Sequence, residues 1–339
     1  MSYPETNLLN NNLWQLVARQ EYDERINFFL IFAAKYFLVE KRDDTIFWAI
    51  IACLLWSTAY AGIKIGLQYD TPLHFAGIRF IISGLMIFPF TVKPALYLSM
   101  IKEHWRIIFW VTLLQTLVNY IFFYLGLDLV PGALGAVIVG SQPLVTAVVA
   151  AMMDKGERLT RRKIVTIVFG ISGVILISAG RQAFKLGSAA ELLGVFMILI
   201  ANIGTATSNV FVSLRSKGVN PLVLSSSSLF IGGIIISLLS MLFEKRPQGP
   251  MPGEYWISLG WLSFMSAYAF SLWYKLLQRP HVKVSELNLW KFIIPVVGAI
   301  LSWILVPGEN PEWLTAGGMI IITSSLILFF KNGQKPHSA

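Results

Sequence analysis

The chain has 339 residues, of which 55% are hydrophobic and only 13% are charged, and its formal net charge is +9. Soluble domains carry roughly 25% charged residues, so this composition excludes an ordinary soluble domain and is typical of a polytopic membrane protein. The basic residues lie in short loops between apolar runs, which argues against nucleic acid as a partner, and a single cysteine, Cys53, excludes an intrachain disulfide framework.

The first 44 residues form a segment of their own. They contain an apolar run at 26–39 that Lys35 interrupts, and this run is shorter than the roughly 20 residues that a transmembrane helix needs. We therefore predict an amphipathic helix lying on the inner membrane surface. The alternative is that residues 1–44 do not belong to the functional protein. The polar, Asn-rich start does not have the pattern of a cleavable signal peptide.

After residue 44 the sequence predicts ten transmembrane helices, because ten stretches approach the required length of about 20 mostly apolar residues. Turn formers such as Thr71-Pro72 and Asn220-Pro221 separate them. We number the predicted stretches as spans 1 to 10, at 45–67, 72–92, 105–127, 131–152, 161–180, 187–212, 219–243, 255–278, 283–306 and 313–331.

The basic residues predict the orientation of these spans. With the N-terminus inside, nineteen of the 27 Lys and Arg residues fall in cytoplasmic segments or at the cytoplasmic ends of spans, four in external loops and four deeper within spans. Cytoplasmic loops of membrane proteins carry the excess of Lys and Arg. Both termini are therefore expected in the cytoplasm. No signal points to another compartment, so we expect the bacterial cytoplasmic (inner) membrane.

A short phrase occurs twice with different charges around it. Gly156-Glu157 follows Pro143 by thirteen residues, and Gly308-Glu309 follows Pro295 by the same distance, but only the first copy is followed by a basic run. Five spans per copy would place the second copy upside down, as in transporters built from inverted repeats. We predict a first repeat at 45–182, a second at 187–332 and a cytoplasmic tail at 333–339.

The two glutamates of this phrase have two interpretations. Each glycine suits the end of a helix, and each glutamate then lies just before the next helix, where a carboxylate meets the N-terminal dipole. The alternative is that Glu157 or Glu309 takes part in a gating ion pair.

Several motifs resemble the drug/metabolite transporter superfamily of the EamA type. They are Leu55-Trp56-Ser57 in span 1, Ile78-Arg79-Phe80 in span 2, Gln142-Pro143 in span 4 and Gly156-Glu157-Arg158-Leu159-Thr160 before span 5. The resemblance covers about 45–332. It implies a basket of ten helices, a central cavity lined mainly by spans 1, 3, 4, 6, 8 and 9, and export or exchange of small metabolites. The chain departs from the family in its long N-terminal segment, in Asn310-Pro311-Glu312 and in Lys291.

Polar and aromatic side chains recur at helical spacing within the spans. Polar groups in hydrocarbon are costly and face the bundle interior, where they line a wet cavity or hydrogen-bond neighbouring helices. Both alternatives stay open for each of them. The candidates for substrate binding are Trp56, Tyr60, Asn119, Gln142, Asn202, Asn209, Tyr268 and Lys291.

Ionisable residues within the spans form a second group of candidates. Arg79 lies about two turns inside span 2, where it either ties neighbouring carbonyl groups or takes part in transport. Lys64 near the outer end of span 1 either reaches the interface or has the same kind of role. Lys291 lies too deep to reach the interface, so its partner is Glu286 or an anionic group of a substrate. We select Glu286, Arg79 and Lys64 as candidates for coupling or gating.

These observations predict a secondary transporter that exports a small metabolite, an amino acid or a related carboxylate, by alternating access around a central cavity. A proton or counter-substrate is the expected source of energy, and a homodimer is one alternative for the assembly. A lipid or lipid-linked sugar translocator is the main alternative function. We expect no enzyme, no metal and no cofactor, because the histidines lack metal-ligand spacing and the spans lack a catalytic cluster of carboxylates.

Overall fold

The structure is a computed structural model that describes residues 44–130, 135, 138–179, 189–245, 249–305 and 313–331. The predicted amphipathic helix within 1–44, the tail at 333–339 and the second copy of the repeated phrase, with Glu309, lie outside the described residues. Every regular element in the described part is helical.

In the described part of the first half of the chain we number eight α-helices, α1 to α8. Two irregular helical stretches accompany them: a short 3₁₀ turn at Phe88–Phe90 and a π-helical segment at Thr112–Val118. The helices are α1 (Thr45–Ser57), α2 (Ala59–Gly66), α3 (Pro72–Ile87), α4 (Pro94–Glu103), α5 (Trp105–Val111), α6 (Asn119–Leu129), α7 (Gln142–Met153) and α8 (Arg161–Ala179).

Of the second half, the residues that the structure describes form six α-helices and a 3₁₀ turn at Trp290–Phe292. Asn220 caps the second of these helices, since its side-chain oxygen accepts a hydrogen bond from Leu222 N at 2.8 Å. The helices are α9 (Ala189–Arg215), α10 (Pro221–Phe243), α11 (Gly253–Leu277), α12 (Val284–Leu289), α13 (Ile293–Leu305) and α14 (Trp313–Lys331).

Four helical stretches of the described part are long and apolar enough to cross a membrane. They are Pro72–Phe90, Trp105–Leu127, Ala189–Arg215 and Pro221–Phe243. Thr45–Ser57, Ile138–Met153 and Trp313–Ile327 are shorter apolar helices. The predicted number of ten spans and their orientation stay predictions.

Within the described residues, predicted spans 1, 3, 4 and 9 are interrupted. Span 1 breaks at Thr58, where Ser57 and Thr58 hydroxyls donate to the backbone carbonyl groups of Cys53 and Leu55 at 2.8 and 2.7 Å. Such local bonds compete with the helical pattern. Span 3 passes through the π-helical segment, and span 9 is divided into α12, the 3₁₀ turn and α13. Span 4 is broken at Ser141, just before α7. All four interruptions lie beside the central cavity described below.

Helices of the two halves pack directly on each other. α3 packs on α10, and α8 packs on α14. Glycines allow these close approaches, since a Cβ atom at Gly233 would lie 2.9 Å from the carbonyl oxygen of Gly77 and one at Gly173 would lie 2.7 Å from that of Gly318. Small residues let membrane helices approach in this way. α9 contacts α6 and α7, and α1 in the other half contacts α11 and α13.

Candidate functional site

A cavity of about 160 Å³ lies between the two halves. This is several times the 10–15 Å³ that a single water molecule needs. Its polar lining consists of Arg79, Gln115, Asn119, Gln142, Asn202, Thr205, Asn209 and Lys291, and its aromatic lining of Trp56, Tyr120, Phe123, Phe270 and Trp273. The structure therefore gathers residues from α1, α3, α6, α7, α9 and α11 and from the irregular stretches of spans 3 and 9.

Most of the residues selected from the sequence meet in this cavity. The lining includes six of the candidates for substrate binding, namely Trp56, Asn119, Gln142, Asn202, Asn209 and Lys291. Arg79, selected for coupling or gating, lines the same cavity. Their roles in binding and coupling stay predictions.

Lys291 lies in the 3₁₀ turn of span 9 and extends into the cavity. Its ammonium group donates a hydrogen bond to Gln142 Oε1 at 3.1 Å. It also lies 5.3 Å from the ring centroid of Trp56 and 4.9 Å from that of Trp273, and these two rings contact each other at 5.1 Å. Aromatic faces attract cations, most strongly when water is excluded. The lysine is thus held by two indole rings and one amide oxygen.

Two asparagines of α9 line the cavity and also bridge helices. Asn202 donates to the backbone carbonyl of Ile138 at 2.6 Å, and Asn209 donates to Asn288 Oδ1 at 3.1 Å. Asn288 in turn donates to the carbonyl of Val284 at 2.9 Å. The sequence left open whether such residues line a cavity or hydrogen-bond neighbouring helices. Asn202 and Asn209 do both.

Arg79 is buried, with 2% of its surface exposed. Its Nε and Nη2 groups donate to the Ser266 hydroxyl of α11 at 2.9 and 2.8 Å, so it bonds a side chain and not the carbonyl groups that the sequence suggested. The guanidinium also lies 5.0 Å from the ring centroid of Phe80. The Tyr124 side chain also interacts with this guanidinium.

The remaining candidates lie apart from the cavity or outside the described side chains. Tyr268 stacks on Phe264 with ring centroids 6.1 Å apart and is not among the lining residues. The backbones of Tyr60 and Lys64 belong to α2, but their side chains lie outside the described residues. Glu286 forms ion pairs with Lys163 and Lys283, each at 3.5 Å. Among the described residues it forms no ion pair with Lys291.

Four aromatic residues of the cavity are absent from the candidates selected from the sequence, namely Tyr120, Phe123, Phe270 and Trp273. Phe270 and Trp273 lie four and seven residues after Ser266, which places these three residues on one face of α11. A search for that helical face would have found both rings. Trp273 makes the shorter of the two ring contacts with the lysine.

A second polar cluster joins the halves at the predicted cytoplasmic end. Glu157 of the repeated phrase forms an ion pair with Lys163 at 3.0 Å and accepts hydrogen bonds from the backbone N–H and the hydroxyl of Ser285 at the start of α12. Lys163 also donates to the Ser285 hydroxyl at 2.6 Å. The carboxylate therefore meets the start of a helix in the other half of the chain, not that of the helix that follows it.

The ionisation of Glu157 reflects opposing effects. Burial raises the pKa of its carboxyl group, but the hydrogen bonds from Ser285 and the charge of Lys163 lower it more strongly, so the pKa lies below its usual value. The pair Glu157–Lys163 is almost completely buried, with side chains 3% and 4% exposed. This is an ion pair in which both charges are compensated.

A similar contact lies at the predicted external end. Glu244, just after α10, accepts hydrogen bonds from the backbone N–H groups of Leu73 and His74 at 2.9 and 3.0 Å and from the Thr71 hydroxyl at 2.7 Å. These three residues lie at the start of α3. At each end, a carboxylate of one half therefore satisfies the first N–H groups of a helix in the other half.

Comparisons with known proteins agree with this architecture. The model of the EamA-like transporter family matches twice, at residues 44–179 and 192–331. A solved crystal structure has the same fold, with a TM-score of 0.75 and 19% sequence identity over 88% of this chain and 100% of that chain.

Three similar proteins illustrate the relatives. Transporter YvbV of Bacillus subtilis is 25% identical over 84% of this chain and 92% of its own length. The inner membrane transporter YedA of Escherichia coli is 23% identical (81% and 89%), and a probable amino-acid metabolite efflux pump of Salmonella typhimurium is 23% identical (86% and 95%). With its apolar helices, the chain is a multi-pass protein of the bacterial inner membrane. The two matches of the family model, which together cover most of the sequence, show that it belongs to the EamA-like transporter family of drug/metabolite transporters.

Proposed function

We propose that this protein is a secondary transporter that exports a small metabolite, an amino acid or a related carboxylate, by alternating access around the central cavity. One observation carries the proposal. A lysine ammonium lies in a cavity between the halves, held by Gln142 and two indole rings, while its sequence neighbour Glu286 contacts other lysines. An anionic group of the cargo supplies the compensating charge.

The name of one relative adds support. The Salmonella typhimurium protein is named a probable amino-acid metabolite efflux pump. A carboxylate is the group that all amino acids share, and it pairs with an ammonium at short range in a site of low dielectric.

The architecture in this proposal consists of ten spans in two inverted five-helix repeats, with both termini in the cytoplasm. The equivalent spans 2 and 7 contact each other as α3 and α10, and spans 5 and 10 do so as α8 and α14. Span 6 contacts spans 3 and 4, while its equivalent, span 1, contacts spans 8 and 9. This pattern is what a pseudo-twofold axis would produce, and the basic loop after span 4 supports opposite orientations.

A proton gradient or a counter-substrate supplies the energy in this proposal, because the sequence has no Walker loop. Arg79, Lys64 and Glu286 are the candidates for coupling or gating. Glu286 is 35% exposed and belongs to the polar cluster at the predicted cytoplasmic end, which favours gating for it.

Transport by purified protein in liposomes tests the proposal. Vesicles are loaded with a mixture of labelled amino acids and related carboxylates, and efflux is followed for the wild type and for Lys291→Gln. We expect efflux of at least one solute to fall about tenfold or more in the variant, because one charge-assisted contact is lost. Lys102→Gln, which removes an exposed charge in α4, is the matched control. Equal efflux by the wild type and Lys291→Gln for every carboxylate would contradict the proposal.

One observation favours the second candidate, a lipid or lipid-linked sugar translocator. An apolar crevice of about 340 Å³ lies between span 9 and α14, lined by residues such as Trp290, Val296 and Leu326. Such a crevice suits an acyl chain that enters from the bilayer. A fluorescent-lipid scramblase assay in the same liposomes separates the two functions: lipid movement without efflux of soluble carboxylates would support the translocator.

A further inference from the structure

We infer that the cargo of the central cavity is a small dicarboxylate, a solute with two separate anionic groups and a short carbon chain. This inference rests on the proposed function and deepens it. It specifies how many anionic groups the cargo carries, which the proposed export of a carboxylate does not.

The charges of the cavity give the first argument. Its lining holds two cationic side chains, Arg79 and Lys291, and among the described lining residues it holds no carboxylate. Glu191 and Glu286 are the acidic residues of the ten predicted spans, and Asp128 follows span 3 near the end of α6, where its side chain lies outside the described residues. Glu191 is the third residue of α9, and Glu286 contacts Lys163 and Lys283.

A cavity with two cationic side chains is expected to select among solutes by their net charge. Buried charges without partners are costly, and a bound solute lowers that cost by the charge that it brings. A zwitterion brings no net charge, a monocarboxylate compensates one cation, and a dicarboxylate compensates both. The electrostatic gain therefore rises with the number of anionic groups.

Unused hydrogen-bond donors give a second, independent argument. The described residues provide no acceptor for Gln142 Nε2, although this atom is buried. An ammonium group has three donors, and among the described residues the Lys291 ammonium has one hydrogen bond, to Gln142 Oε1. Buried donors without acceptors cost free energy that an acceptor-rich ligand recovers. Carboxylate oxygens are such acceptors.

Two unused acceptors refine the shape of the solute. Gln115 Oε1 and Asn209 Oδ1 have no donor among the described residues. Both belong to neutral amides that line the cavity, so they can accept from a hydroxyl or amino substituent without adding charge. The volume of about 160 Å³ and the aromatic wall of Trp56 and Trp273 favour a short chain. A four-carbon dicarboxylate, plain or with one such substituent, meets all of these conditions.

A series of three solutes with the same skeleton tests the inference. Succinate, succinamate and succinamide differ only in that carboxylates are replaced by carboxamides. Binding is measured as thermal stabilisation of the purified full-length protein at constant ionic strength, since a ligand that binds the native state raises its apparent stability. We expect succinate to bind about tenfold or more tightly than succinamate, and succinamide to give no shift.

Substitutions of one cation connect this preference to the cavity. Lys291→Gln is expected to reduce the advantage of succinate over succinamate to less than about threefold, whereas Lys291→Arg, which keeps the charge, retains it. Lys102→Gln is the control for a lost surface charge, and sodium sulfate at equal ionic strength is the control for a general salt effect. Aspartate and asparagine repeat the comparison in solutes that carry an amino group.

The outcomes separate the inference from the proposed function. Equal stabilisation by the three solutes, or no stabilisation by any dicarboxylate, overturns the inference. If liposomes export asparagine as fast as aspartate in a manner that depends on Lys291, the transporter proposal stands and the dicarboxylate inference is wrong. If succinate binds as expected but no carboxylate crosses the membrane, the inference stands and the proposed function is wrong.

Discussion

Lysines at two places in the interior show how the surroundings of a charge indicate its role. Lys163 contacts Glu157, Ser285 and Glu286, so its charge is compensated within the protein. Lys291 contacts one neutral amide and two aromatic faces, and no carboxylate forms an ion pair with it in the described part of the chain. The first lysine stabilises the fold, and the second is the one that binds the cargo in the proposed function.

The Glu157–Lys163 pair predicts a dependence of stability on pH. The pKa of Glu157 is lower in the folded protein than the roughly 4.3 of an unfolded glutamate. The carboxylate therefore contributes stability above the unfolded pKa, and this contribution is lost as pH falls through the folded pKa. We expect Glu157→Gln to unfold more easily than the wild type at pH 7, by about 3 kcal/mol, because a buried ammonium loses its closest carboxylate.

Thermal unfolding in detergent at pH 7 and at stepwise lower pH measures this effect. The difference between the wild type and Glu157→Gln should become smaller below about pH 4, where the wild-type carboxyl group also takes up a proton. Glu103→Gln, in an exposed position at the end of α4, is the matched control. A constant difference across the whole range would show that the pair does not act through ionisation.

Among the elements, the interrupted helices of spans 4 and 9 determine where the cavity lies. Pro143 follows Gln142 in α7, and Pro295 follows Ile294 in α13. A proline cannot bond the carbonyl group four residues earlier, which belongs to Val139 in one case and to Lys291 in the other. The residues before the two prolines, Gln142 and Ile294, line the cavity, and so do Val139 and Lys291. The hydrogen bond from Lys291 to Gln142 thus runs from one interruption to the other.

Replacing Pro295 tests the importance of the interruption. Alanine at this position can donate to the Lys291 carbonyl, so it favours a continuous helix in place of the 3₁₀ turn and moves the ammonium from its position. We expect Pro295→Ala to remain folded but to lose about tenfold or more in transport, because small misplacements of a binding group are costly. Pro221→Ala, at the first turn of α10, is the control. Transport at the wild-type rate by Pro295→Ala would show that the interruption is dispensable.

For the whole molecule, carboxylates at opposite ends connect the two halves in the same manner. Glu157 from the first half bonds the start of α12, and Glu244 from the second half bonds the start of α3. In the proposed topology these contacts lie on opposite sides of the membrane. Alternating access would open them in turn, since each joins parts that must separate when the cavity opens at that end.

Labelling of introduced cysteines tests this topology. The native Cys53 is fully buried, so exposed cysteines can be introduced without a competing reaction. We expect a membrane-impermeant maleimide to label Pro250→Cys in intact cells, and to label Lys155→Cys only after the membrane is opened. Both positions are exposed in the structure. Labelling of both variants in intact cells would contradict opposite orientations of the two loops.

Some features follow from the sequence for simple physical reasons. Apolar length and helical spacing were enough to group Asn119, Asn202 and Lys291 in one cavity, because polar side chains in a bilayer turn inward. Spacing could not reveal Trp273, whose aromatic ring is equally suited to lipid, core or cavity. It also could not reveal that Glu157 reaches Ser285, 128 residues away, because partners across two halves depend on the packing of those halves.

The indole rings beside Lys291 have a practical consequence. Trp56 and Trp273 both lie within 5.3 Å of its ammonium group, measured to the ring centroids. Indole emission responds to nearby charge, and the arrival of an anion would change the field at both rings together. The fluorescence of these two tryptophans is therefore expected to report whether an anion is bound in the cavity. A comparison of emission between the wild type, Trp56→Phe and Trp273→Phe would read binding without any attached label.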